Sequence, residues 1–147
     1  MFVDKSIFLN SVSTNNIYLP TPQPILLGTS GALTTTNGLK ATLMLLGRNL
    51  ITGTIELVVP TFTSSASTLV STTAIPTQFR PLVQKSFASY ATSNAVSFPI
   101  SVSISTAGIV TVGFFTAANL GPVSGTPNFA AGATSQFYSC AVSYTLD

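Results

Sequence analysis

The stretch "AVSFPISVSISTAGIVTVGFF", residues 95–115, constrains the fold more than any other part of the chain. Val96, Phe98, Ile100, Val102 and Ile104 fall on one side of an extended backbone, with Ser97, Pro99, Ser101, Ser103 and Ser105 on the other. Successive side chains leave a pleated strand on opposite sides, so this period of two marks a strand with one buried face. "STAG" at 105–108 then offers a turn in which Gly108 can take positive φ, and "IVTVGFF" returns as the partner strand. Pro99 has no N–H to give a ladder, which predicts an edge position or a strand start there.

The same logic extends along the chain. "QFYSCAVSYTL" places Tyr138, Cys140, Val142, Tyr144 and Leu146 on one face of a single closing strand. "LKATLMLLG" and "LITGTIELVVP" read as two strands joined through "GRN" at 47–49. "ASTLVSTTAI" is a further strand and "QKSFASYA" a weaker one. "LPTPQP" at 19–24 has three prolines in six residues and predicts an extended, unpaired segment. With it, residues 1–30 read as an extended N-terminal segment able to act as an arm. "NLGPVSGTPNFAAGAT", 119–134, reads as a long loop. No segment keeps a helical period over three turns. About eight short strands, with turn signals every 8 to 12 residues or so, predict an all-β fold: an antiparallel, jelly-roll-like β-sandwich forming one domain over 1–147.

Composition narrows the function. Charged residues make up 5% of the chain and mean hydropathy is +0.54, yet every apolar run is interrupted by Ser, Thr, Asn, Gly or Pro well short of the ~20 residues of a spanning helix. Membrane insertion is therefore not expected. Polarity comes from 19 Ser and 22 Thr, neutral groups that give little charge repulsion and suit a protein housed in an assembly. Lys5, Lys40, Arg48, Arg80 and Lys85 are too scattered to form a phosphate-binding stripe, so no nucleic-acid partner is expected. Catalytic chemistry lacks its usual parts: there is no His, and the only carboxylate side chains are Asp4, Glu56 and Asp147. The expectation is a non-enzyme with no cofactor and no metal. Cys140, the lone cysteine, reads as a buried small hydrophobe.

A sugar site needs an exposed aromatic face with amide and hydroxyl partners. Tyr90 and Asn94 offer these, as do Asn128 and Phe129 in the long loop. These four are the candidate ligand contacts, although a Tyr90 that simply packs on a neighbour is the blander reading. A cellular lectin or adhesin is accordingly the alternative function.

The segment "IPTQFRPLVQKSF…SFPISVSISTAGIVTVGFF" resembles the head domains of bacteriophage tail and receptor-binding fibres, and short structural proteins of large DNA viruses. Ile75, Pro76, Phe79, Arg80 and Pro81 match one element of that pattern, and Gly108, Val110, Thr111 and Val112 match a second. The likeness spans roughly 39–115. It implies a sandwich of the tumour-necrosis-factor or complement-C1q sort, usually a homotrimer, located in the virion. The implied role is a fibre or spike head, or a minor capsid or cement component. Its partners would be further copies of itself, other virion proteins and a cell-surface glycan or protein receptor. The shaft and attachment module of such fibres are not recognisable here.

Arg80 is the one residue of this motif with chemistry to spare. Pro76 and Pro81 fix extended backbone at Ile75 and Arg80, Phe79 is the expected core anchor, and the guanidinium can reach carbonyls or a carboxylate such as Glu56. In so acid-poor a chain a carbonyl partner is the stronger expectation, and Arg80 reads as structural.

Overall fold

A computed structural model describes residues 21–29, 38–62, 68–93, 96–114 and 135–147. In chain order the strands are β1 (Gln23–Gly28), β2 (Leu39–Leu46), β3 (Leu50–Leu57), β4 (Thr61–Phe62), β5 (Thr68–Val70), β6 (Lys85–Ser93), β7 (Val96–Ile104), β8 (Val110–Phe114), β9 (Ser135–Phe137) and β10 (Cys140–Thr145). A 3-10 turn, Thr77–Phe79, interrupts the connection from β5 to β6. The chain is all-β, and its strands form two antiparallel sheets packed as a sandwich. One sheet runs β1-β2-β3-β10 and the other β4-β9-β6-β7-β8-β5.

Alternation builds the core. Leu39, Ala41 and Leu43 of β2, Ile51 and Ile55 of β3, and Val142 and Tyr144 of β10 are buried on one sheet; Ile100, Val102, Ile104, Val110 and Val112 answer them from the other. Each Val, Leu or Ile among them contributes about 1.5–3 kcal/mol on leaving water. The β2–β3 hairpin pairs Leu46 with Leu50 across 47–49, and Gly47 takes φ 64 in the turn. Gly53 lies opposite Leu43 and Val142, where a Cβ would overlap the Thr42 carbonyl oxygen.

Five expectations change. Gln23 and Pro24 are paired, opposite Leu43 and Thr42, so "LPTPQP" ends inside an edge strand; an edge position is where a proline is tolerated. The described part of 1–30 is likewise no free arm, because Leu27 is fully buried and its carbonyl accepts the N–H groups of Thr72 and Thr73 at 3.1 and 2.9 Å. Pro99 lies on an inner strand, facing Tyr90 of β6, but one residue beyond the ladder to β8, which runs from Ile100 to Ile104. "QFYSCAVSYTL" is two strands: Phe137 is buried in one sheet, the chain crosses at Tyr138 and Ser139, and Cys140 starts burial in the other. The crossing shifts the phase by one, leaving Tyr138 47% exposed rather than in line with Cys140. "QKSFASYA" belongs to a full nine-residue strand flanked by β7 and β9. The loop at 119–134 lies outside the described residues.

Candidate functional site

Two places gather the polar chemistry of the described chain. The first is the corner between β5 and β6. Pro76 (φ −56, ψ 147) leads into the 3-10 turn, and Arg80 leaves it extended (φ −80, ψ 130), as the following proline demands. Phe79 and Pro81 are buried. Arg80 Nε donates to the Ile75 carbonyl at 2.8 Å, closing the turn on itself. Ile75 N–H donates in turn to the Gly108 carbonyl at 2.9 Å, and Gly108 N–H to the Ser105 carbonyl at 2.8 Å. Gly108 has φ 82, and a Cβ there would stand 2.8 Å from Arg80 Nε and 3.0 Å from the Ile75 oxygen. Only glycine both adopts that backbone readily and lets the arginine close so tightly.

The corner is tied to the far end of the chain as well. Tyr144 of β10 donates its phenol hydrogen to the Phe79 carbonyl at 2.5 Å, and its ring lies 6.1 Å from that of Phe87, tilted by 47°. Burial pushes the Tyr144 phenol up to about 12. The Ile75–Pro81 corner and the Ser105–Gly108 turn thus meet as one interlocked unit, with Arg80 on a carbonyl. Glu56 is engaged elsewhere.

The second place is the crossing from β9 to β10. Tyr138 N–H donates to the Tyr90 carbonyl at 3.4 Å, which extends the β6–β9 ladder by one pair and sets two exposed tyrosines side by side. Tyr90 is 62% exposed and does not pack as a buried strand residue. Asn94, Asn128 and Phe129 lie outside the described residues. Beside Tyr138 opens a cleft of about 270 Å³, lined by Lys40, Glu56, Leu57, Val58, Pro60, Gln136, Phe137, Tyr138 and Ser139. Lys40 Nζ and Glu56 Oε1 are 2.7 Å apart within it. They come from directly opposed positions on β2 and β3. Sequence reasoning missed this site because it needs the phase shift at Tyr138; the signal available was the Lys40–Glu56 pairing across the predicted hairpin.

Cys140 is buried, with its thiol directed at the carbonyls of Ala88 and Ala141 (3.8 and 3.6 Å), and burial pushes its pKa up, so the thiol stays protonated and inert. Among the described residues no three His, Cys, Asp or Glu side chains gather as metal ligands would.

The outer face of the six-stranded sheet differs from both places. Register sets Ser86, Ala88, Thr92, Ser97, Ser101, Ser103 and Thr111 on that face with Tyr90 and Pro99. None of these residues carries a charge.

No protein-family model matches this chain, and no curated protein matches it either.

Proposed function

We propose that the chain is a non-enzymatic structural protein of a virion, a fibre or spike head or a minor capsid component, which assembles as a homotrimer and presents its loops for receptor or capsid contacts. The observation that carries the assembly part is the uncharged outer face of the six-stranded sheet, from Ser86 through Ser101 and Ser103 to Thr111. Burying a charge against a neighbour costs several kcal/mol unless it is paired, and the core of an interface is depleted of charged residues. The likeness of Ile75–Pro81 and Gly108–Val112 to fibre-head motifs supports the virion part.

Native mass measurement at micromolar concentration is expected to show a trimer. Ser101→Glu, which sets a carboxylate in the middle of the uncharged face, is expected to yield folded monomer. A stable monomer of the unaltered chain would overturn the proposal. Density for the protein at fibre tips or in the capsid shell of intact particles would then separate its two forms.

The second reading is a carbohydrate-binding lectin or adhesin domain, favoured by the exposed Tyr90 and Tyr138 standing side by side. A saturable glycan-array signal from a chain that is monomeric and absent from particles would select it.

A further inference from the structure

We infer that the cleft between Tyr138 and the Lys40–Glu56 pair binds a single neutral sugar ring. The inference is independent of trimer assembly; it deepens the carbohydrate-binding reading by assigning a ligand class and a place.

Three properties of the cleft converge on that ligand. The first is size: at about 270 Å³ it falls just below the roughly 300 Å³ at which pockets for drug-sized ligands begin, which suits one ring and not a chain of them.

The second is charge. Lys40 and Glu56 cancel each other at 2.7 Å, so the site offers no net charge to an ion, and an anionic ligand would meet the Glu56 carboxylate. The pair is nonetheless open to a ligand, with side chains 31% and 33% exposed. An ammonium has three N–H donors and a carboxylate about four lone-pair sites, so one contact between them leaves both groups capacity. Adjacent donor and acceptor capacity is what two neighbouring hydroxyls require: Lys40 donates to one oxygen while Glu56 accepts the hydrogen of the next. Gln136 adds an amide with one group of each kind, and Ser139 a hydroxyl that can act either way. A purely apolar ligand would instead strip water from the ion pair and return no hydrogen bonds.

The third is the wall. Tyr138 and Val58, 47% and 43% exposed, give the cleft an apolar side next to its polar one. A pyranose is itself two-sided, with C–H groups on its faces and hydroxyls around its rim, so it matches both sides at once. Tyr138 supplies a large amphipathic surface at little cost in conformational freedom.

The test is titration of the folded full chain, followed by calorimetry or ligand-observed NMR, with a panel of neutral hexopyranoses and N-acetylhexosamines and with sialic acid as the anionic control. At least one neutral sugar is expected to bind saturably. Tyr138→Ala is expected to weaken it about tenfold, with Tyr138→Phe within about twofold of the unaltered chain. Glu56→Gln, which keeps the shape and loses the charge, is expected to weaken it severalfold. Leu82→Ala, at an exposed position outside the cleft, is expected to leave affinity within about twofold. A melting temperature for each variant separates lost binding from lost folding. Absence of binding by the whole panel, or a preference for sialic acid, overturns the inference. Sugar binding that is indifferent to Tyr138→Ala overturns the cleft while leaving the carbohydrate-binding reading standing.

Discussion

Arg80 and Lys40 are both cations on a β-protein with few charges, and the fold treats them in opposite ways. Arg80 turns back on its own chain: Nε rests on the Ile75 carbonyl, Gly108 presses against it, and Tyr144 locks the adjacent Phe79 carbonyl. Lys40 stands on the outer side of β2, paired with Glu56 from the next strand and open to solvent at the mouth of a cleft. A guanidinium whose Nε rests on a backbone carbonyl between two prolines fixes a turn. An ammonium on a carboxylate leaves donors and acceptors free for a visitor. The charge that looks most distinctive in the sequence is the structural one, and the one in an ordinary strand borders the candidate site.

The sharpest way to break that contrast is at the corner's anchor. Phe79→Ala removes a buried ring and is expected to cost about 3–5 kcal/mol, measured by denaturant unfolding. A loss below about 1 kcal/mol would mean that the corner does not hold the sandwich together.

High pH gives the next effect. The folded Tyr144 phenol titrates at about 12 and an unperturbed tyrosine at 10.0. The unfolded chain therefore releases its proton first. The stabilisation is complete below about pH 10 and is lost as pH rises toward 12, by about 2–3 kcal/mol. Unfolding midpoints measured between pH 9 and 12 should show this fall, and Tyr144→Phe should remove its share of it; an unchanged slope in that variant would place the titration elsewhere.

At the other region the expected effect on stability is small. Lys40→Met breaks an ion pair whose side chains are about one-third exposed, and should shift unfolding by only about 0.2–1 kcal/mol. A loss as large as that of Phe79→Ala would erase the distinction between the two cations.

Much of the sandwich was legible in the sequence because period-two patterning is read residue by residue. The β2–β3 hairpin through 47–49 and the β7 face of Ile100, Val102 and Ile104 follow directly from it. Arg80 on a carbonyl was legible for a local reason too, since two prolines and a shortage of acids leave the guanidinium few partners. Non-local events were not legible. Gln23 and Pro24 pair because β2 supplies an open edge, which proline content cannot reveal. The crossing at Tyr138 and Ser139 hides inside a pattern that alternates on both sides of it, and only pairing partners show that Phe137 and Cys140 belong to different sheets. The candidate cleft depends on that crossing, so Tyr90 was visible as a ligand candidate and Tyr138 was not.

The most direct test sets the two regions side by side, with the stability and neutral-sugar affinity of Arg80→Ala and Tyr138→Ala measured on the same preparations. Arg80→Ala is expected to lower unfolding stability by about 1.5–3 kcal/mol while the folded fraction binds sugar as before. Tyr138→Ala is expected to keep the stability and bind the sugar about tenfold more weakly. The opposite pairing, a stable Arg80→Ala that no longer binds and a destabilised Tyr138→Ala that still does, would contradict the account.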